Sequence, residues 1–497
     1  MCKSYEDSEI VIGLVAPVGV DNDSICEFLE KIIRQFGYKI NIISLSRIIQ
    51  EYGLNDSEID TTTQFNRINS LMTAGNEFRE KAKNNGILAM YAVQEILEKR
   101  EKEEKRAPLK KHVHIIRSLK NPEEAMVLRR VYSDGFFLLG ISSSVANRSQ
   151  HLINNLNMEI VEADKLITRD EHEDIKHGQR FRDIYHLADA FIDLDRGIED
   201  YQYQLTRIIE LIFGNPFFTP TKDEYAMFLA CASALRSGDL SRQVGAVIMS
   251  KNGEIISSGS NDVPKFGGGL YWPNARSIDN DNKICRDIEK GFDSNEHERN
   301  QMVKKIKLKY RDNLEFYTEK AIIELGRKAL KDTGVLEITE YGRAVHAEME
   351  AILSCARSGV STKDTTLYCT TFPCHNCAKH IVASGITKVI FIEPYPKSHA
   401  LSLHSDSICL STETEEIPGD KVVFQPFVGI AQRRYIDIFS IKKSTVKVER
   451  EQDGIKRDWN YNDANIPLPL SLLPASYIDR EKIVSDGLKK IIVSIQD

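Results

Sequence analysis

Over the first 215 residues, short β-branched runs alternate with stretches whose apolar positions recur at helical spacing. Ile10 to Val15 reads as a strand, Ser24 to Phe36 as an amphipathic helix through Ile25, Phe28, Leu29, Ile32 and Ile33, and Lys39 to Leu45 as a second strand. A long helix is expected over Gly75 to Arg100, with further strands at His112 to Ser118, Phe136 to Ile141 and Ala190 to Leu194. This alternation predicts an α/β layer fold around a largely parallel sheet. The charged run EKREKEEKRAPLKK reads as a solvated helix end and linker.

The segment FGNPFFTP, residues 213–220, interrupts the pattern with two prolines and a glycine, and a domain boundary is expected there. Thr221 and Glu224 have the spacing of a capping box that starts the next helix. Strands follow at Val244 to Ser250 and Glu254 to Gly259. A charged, helical insert is expected over residues 262–341. The pattern then resumes with a helix at His346 to Ser358, a strand at Thr365 to Thr370, a helix at Cys374 to Ser384 and a strand at Lys388 to Ile392. The expected domains are residues 1–215, 216–445 and a tail, 446–497, to which no chemistry is assigned.

Composition narrows the class. Apolar residues at 41% and charged residues at 28% suit a globular protein with real cores, and the 497 residues are enough for at least two. No apolar run is long enough for a membrane span, and MCKSYEDSEI lacks a signal pattern. Nine scattered cysteines with one Cys-x-x-Cys pair point to reduced thiols and a metal, hence to the cytoplasm. A net charge of -7 favours small substrates over polynucleotides.

Val345-His346-Ala347-Glu348 is followed, after 24 residues, by Pro373-Cys374-His375-Asn376-Cys377. This order matches the zinc nucleobase deaminase signature. Cys374 and Cys377 lie three apart on the first turn of a helix, so their sulfurs share a side and the helix N-terminus favours thiolates. His346 supplies a third Zn2+ ligand, which leaves the fourth tetrahedral position to water, the mark of a catalytic site. Glu348, two residues past the ligand, has the chemistry to take the water's proton and pass protons to the ring nitrogen and the leaving amine. A Cys-x-x-Cys pair alone also fits a redox site or half of a structural zinc knuckle. Cys285 with His297 is a weaker seed of a second metal site.

DEYAMFLACASALRS, SRQVGAVIMSKNGEIISSGSNDVP, HAEMEAIL and TTLYCTTFPCHNCAKHIVASGITKVIFIE resemble the segments of deoxycytidylate deaminases, in the same order. The resemblance implies a C-terminal cytidine-deaminase-like α/β/α domain that deaminates dCTP, dCMP or both, and a substrate-sugar contact from Asn261. Asn261 also reads simply as a turn residue after a strand. The family often has glycine after that asparagine, in a loop used for nucleotide regulation, where this chain has Asp262. Together with its first domain, the chain resembles two-domain bacterial antiviral deoxycytidylate deaminases, which implies draining of the deoxycytidine nucleotide pool and a homo-oligomer. EPYPKSHALSLHSDS extends the likeness. Its His399 and His404 read either as phosphate contacts or as solvated loop histidines. The zinc signature alone is shared with polynucleotide deaminases, and a nucleotide sensor with structural zinc is the other competing reading.

Gly13-Leu-Val-Ala-Pro-Val-Gly19-Val-Asp21 stands between a strand and a helix, where a phosphate-cradling loop belongs. Val20-Asp21 replaces the lysine and hydroxyl that phosphoryl transfer uses. Arg169-Asp170 and HLADAFIDLD resemble the lid and terminal strand of nucleoside monophosphate kinases. The first domain is therefore expected to be a degenerate P-loop kinase-like domain without phosphotransfer. Gly13, Gly19 and Asp21 are its candidate nucleotide contacts, a regulatory nucleotide or small RNA is a possible ligand, and a domain that binds nothing is the alternative.

Overall fold

The computed structural model describes residues 9–52, 59–104, 108–171, 173, 177–273, 286–309, 324, 341–395, 398–411, 419–440, 450–464, 466 and 474–496. Its strands are β1 (Ile10–Val15), β2 (Lys39–Ser44), β3 (His112–Arg117), β4 (Phe136–Ser142), β5 (Ala190–Asp193), β6 (Gly245–Met249), β7 (Ile255–Ser260), β8 (Thr366–Thr371), β9 (Lys388–Glu393), β10 (Ile408–Leu410), β11 (Val422–Pro426) and β12 (Gly429–Ile430). These twelve build two six-stranded sheets in a mixed α/β chain, and β13 (Glu451–Gln452) pairs antiparallel with β14 (Ile455–Lys456) in a separate two-stranded sheet. Two compact units result, Met1–Glu224 with Pro426–Asp497, and Tyr225–Gln425.

The first unit holds the sheet β12-β5-β4-β1-β3-β2, in which β1 to β5 run parallel and β12 is antiparallel on β5. A parallel sheet covered on both faces needs apolar residues on both, and β1 and β4 are nearly continuous hydrophobic runs. Ile10, Ile12 and Leu14 pack with Ile25, Leu29 and Ile33 of the helix Asn22–Gln35 and with Leu205, Ile208 and Ile212 of the helix Ile198–Ile212.

The expected single helix from Gly75 to Arg100 is two helices, Gln64–Lys81 and Ile87–Glu104. Lys83 takes a positive φ of 48°, and the Asn84 side chain accepts from Gly86 N–H at 2.8 Å, so the KNNG sequence turns the chain where a helix would have continued. The division also differs from the expected 215/216 break and separate 446–497 tail. Glu224, through its contacts to Arg207 and Ile430 N–H, stays with the first unit. The helix Pro474–Gln496 joins that unit through Glu481, which pairs with Arg100 at 2.8 Å with both side chains fully buried.

In the Gly13–Asp21 segment, Gly13 lies inside β1, where an added Cβ would come within 2.7 Å of Leu119 Cδ1. Gly19 has φ +89° and leaves no room for a Cβ beside Arg148. Asp21 caps the helix Asn22–Gln35, accepting from the N–H groups of Asp23 and Ser24, both at 3.1 Å. Val18 N–H donates to Asp170 Oδ2 at 2.7 Å, and Lys120 Nζ reaches Ala16 O at 2.8 Å and Asp170 Oδ1 at 2.7 Å.

The second unit holds the sheet β10-β11-β9-β8-β6-β7. β6 is antiparallel to both neighbours, whereas β8 and β9 run parallel, as do β10 and β11. The helix Lys222–Ala234 covers one face at Gly245, and the helices Ala347–Ser358 and His375–Ala383 cover the other. Thr221 and Glu224 form the expected capping box, with Glu224 N–H on Thr221 Oγ1 at 3.1 Å and Thr221 N–H on Glu224 Oε2 at 2.8 Å. Among the described residues no helix is long and apolar enough to cross a membrane.

Candidate metal centre

Two helices begin at the same point. His346 is the N-cap of Ala347–Ser358 and Cys374 is the N-cap of His375–Ala383, with Cys377 one turn further along. Gly259 on β7 permits this arrangement, because a Cβ there would lie 2.1 Å from Ala347 O. The close approach of strand to helix sets His346 over the sheet.

The ligand atoms of His346, Cys374 and Cys377 all lie within 4.8 Å of one another, and this is the one group of three or more such residues among the described residues. His346 Nδ1 is 3.3 Å from Cys377 Sγ and 3.4 Å from Cys374 Sγ. A tetrahedron built on ordinary Zn–N and Zn–S bonds has an N···S edge of about 3.6 Å. The Cys374 thiol is held down to about 4 by a hydrogen bond from Cys377, against its burial and with help from His346. His346 is raised to about 9, first by its hydrogen bond with Cys374, while burial pushes the Cys377 thiol well up. A thiolate ringed by two protons is a donor set that a soft-ligand divalent cation satisfies by replacing both. The group fits Zn2+.

Glu348 is buried beside the group, and burial raises its carboxyl above the ordinary carboxylate value. The fully buried Cys369 thiol on β8 hydrogen-bonds with it. A pocket of about 200 Å3 opens onto His346, Glu348 and Cys374, walled by Asn261, Thr371, Phe372 and Tyr395 among others. Asn261 Oδ1 accepts from Val244 N–H at 2.7 Å, and its Nδ2 donates to Arg242 O at 2.8 Å. Its side chain therefore organises the loop entering β6 while lining the pocket.

Sequence reasoning passed over several of the walls. Arg242, Arg343, Asp287 and Asn295 line the same pocket, the last three contributed by residues 286–343. No motif marks them. The one signal was position, since the insert returns to the chain directly ahead of His346. His399 and His404 are not among the pocket's lining residues. Cys285 lies outside the described residues, and His297 stands on the helix Ser294–Lys309 next to Phe292.

Asp262 has a structural task. Its carboxylate pairs with Arg286 at 2.6 Å, both side chains buried, and accepts from the N–H groups of Gly238 at 3.2 Å and Val263 at 2.8 Å.

The Bacillus subtilis ComE operon protein 2 is 44% identical over 69 residues, 14% of this chain and 36% of that protein. The deoxycytidylate deaminase of Enterobacteria phage T4 is 48% identical over 54 residues, 11% of this chain and 28% of its own length. The chain thus spans about a third or less of these two relatives. A Saccharomyces cerevisiae deoxycytidylate deaminase is 22% identical, with 57% of this chain and 82% of that protein covered. Among solved structures, the dCMP deaminase of cyanophage S-TIM5 in complex with dCMP and dUMP is similar at a TM-score of 0.23 and 18% identity, over 42% of this chain and 98% of that one. Residues 220–393, which include all three ligand candidates and Glu348, match the family of the cytidine and deoxycytidylate deaminase zinc-binding region.

Proposed function

We propose that this chain is a zinc-dependent hydrolytic deaminase of free deoxycytidine nucleotides, dCTP or dCMP, yielding the deoxyuridine nucleotide and ammonia. The observation that carries it is Glu348. A structural zinc site has no use for a buried carboxyl whose pKa is raised, set beside the ligands at the end of a pocket. His346, Cys374 and Cys377 are the residues that would hold the metal, which when bound supplies Lewis acidity and lowers the pKa of water toward about 7.

Glu348 accepts a proton from the attacking water and delivers it to the ring nitrogen N3, then takes the proton of the hydroxyl now on C4 and delivers it to the departing amine as the C4–N bond breaks, so that water and the cytosine base become uracil and ammonia. Burial serves this cycle, because a carboxyl raised toward neutrality both accepts and returns protons readily. Phe372 excludes bulk water from one side of the pocket, and Asn261 orients the sugar. The sequence resemblance noted above is what supports a role in draining the deoxycytidine nucleotide pool in antiviral defence by a cytoplasmic homo-oligomer.

Purified protein is incubated with dCTP, dCMP and single-stranded oligonucleotides, and ammonia and deoxyuridine products are measured. Turnover of a free nucleotide is expected. Deamination confined to the oligonucleotide overturns this reading in favour of a polynucleotide deaminase.

A further inference from the structure

We propose that Asp170 is a built-in anion of the first unit, an autoinhibitory contact whose carboxylate takes the donors of the loop after β1 and keeps free phosphate out of it. The proposal does not depend on the deaminase reading.

The loop from Ala16 to Val20 joins β1 to the helix Asn22–Gln35. Gly19 in it has φ +89°, and a Cβ there would come within 2.8 Å of Arg148 O. Lys120 stands three residues past β3, the strand paired parallel with β1, and its Nζ reaches Ala16 O at 2.8 Å. A backbone N–H and an ammonium group gathered round one loop make a donor set for an oxyanion. Asp170, at the C-terminal end of the helix Ile160–Glu171, supplies that anion. Its Oδ2 accepts from Val18 N–H at 2.7 Å, its Oδ1 pairs with Lys120 Nζ at 2.7 Å, and its side chain is fully buried. The two carboxylate oxygens thus stand where two oxygens of a phosphate would be held.

The next residues hold the same helix end in place. Glu171 pairs with Arg148 at 2.9 Å and also with Arg182, and Glu173 pairs with Arg169 at 2.6 Å. Arg148 links the two sides of the contact, with its backbone against Gly19 and its Nη2 on Glu171. It is 4% exposed, and its Nη1 has no hydrogen-bond partner among the described residues. The contacts made within the chain therefore leave one buried guanidinium donor unmet beside the loop. A phosphate has four oxygens where a carboxylate has two.

Packing alone does not account for Asp170. An apolar side chain would fill the space without the desolvation that a buried carboxylate carries, but it would strand Val18 N–H and the Lys120 ammonium. The position calls for negative charge, and the chain provides it. Being tethered, the carboxylate is always at hand, so phosphate in solution competes poorly with it. Removing its charge removes the competitor.

The test uses the full-length chain with inorganic phosphate as the probe and chloride at matched ionic strength as the reference. In the parent, about 10 mM phosphate should move Tm no more than chloride does, and titration calorimetry should register no phosphate binding. Asp170→Asn keeps the shape and an acceptor for Val18 N–H without the charge, and is expected to bind phosphate with a Kd of about 1 mM or tighter and to gain Tm accordingly. Asp170→Ala should lose several degrees of Tm and recover part of the loss in phosphate. Adding Lys120→Met to Asp170→Asn should abolish the binding, which separates this position from phosphate held elsewhere. Where Asp170→Ala fails to fold, Asp170→Asn decides alone. Phosphate binding by the parent as tight as by Asp170→Asn overturns the proposal, as does a folded Asp170→Asn chain that binds none, or binding that survives Lys120→Met.

Discussion

Asp262 and Val345 exchange two backbone hydrogen bonds, Asp262 N–H to Val345 O at 3.3 Å and Val345 N–H to Asp262 O at 2.9 Å, so the insert leaves and re-enters the second unit at one point. The same Asp262 carries a buried ion pair with Arg286, 24 positions further along the chain. Truncating one partner leaves a buried charge uncompensated, which typically costs about 3–5 kcal/mol. Arg286→Met is expected to lower Tm by several degrees, because the Asp262 carboxylate stays buried without its partner. Thermal denaturation checks this, and an unchanged Tm would contradict the account of Asp262.

Glu348→Gln should keep zinc and fold while losing about 10²- to 10⁴-fold in turnover, the usual worth of a general acid–base. Cys374→Ser should lose zinc as well. Metal analysis alongside ammonia release separates the two, and an active Glu348→Gln chain would remove the proton-transfer role.

Gly259→Ala puts a methyl group 2.1 Å from Ala347 O, against backbone rather than a movable side chain. The helix that begins at His346 must shift. We expect a lower Tm and weaker zinc retention under competition with a chelator, although residue 259 is not itself a ligand. Normal zinc retention would indicate that β7 yields instead.

In the first unit, burial pushes the Glu481 carboxyl up to about 7 despite Arg100. Glu9, which burial alone would raise, is held down to about 2 by His114 and Arg100. Both carboxyls ordinarily titrate near 4.5. Stability from Glu481 is present below 4.5 and is lost as pH rises toward 7, whereas stability from Glu9 is present above 4.5 and is lost as pH falls toward 2. Glu481→Gln keeps the neutral form at every pH. Its Tm should therefore gain on the parent between pH 5 and 8, and a constant Tm difference over that range would refute the assignment.

The first unit should transfer no phosphate. Val18 N–H and Lys120, donors that a phosphate would need, are paired with Asp170, and the first N–H groups of the helix Asn22–Gln35 are capped by Asp21. Radiolabelled ATP with deoxynucleoside or deoxynucleotide acceptors is expected to give no labelled product, and measurable transfer would contradict this geometry.

His-x-Glu and Cys-x-x-Cys were legible in the sequence because metal ligation demands particular atoms at short, fixed spacings, and a helix N-terminus enforces those spacings locally. Strands β1 to β9 were legible from runs of apolar residues, as in β1 and β4, which are buried along nearly their whole length, whereas β10, β11 and β12, two to five residues long, were not read from the sequence. The break at Lys83 was not, because a helical apolar pattern on either side conceals a four-residue turn. Nor was the return of residues 426–497 to the first unit, which depends on Glu481 meeting Arg100 across 381 positions. Arg242 and Arg343 carry no local pattern at all, as an arginine that lines a pocket and one on a solvated helix look alike in a sequence. Local stereochemistry determined the candidate metal group and the proposed proton carrier, whereas contacts between distant segments decided what surrounds them.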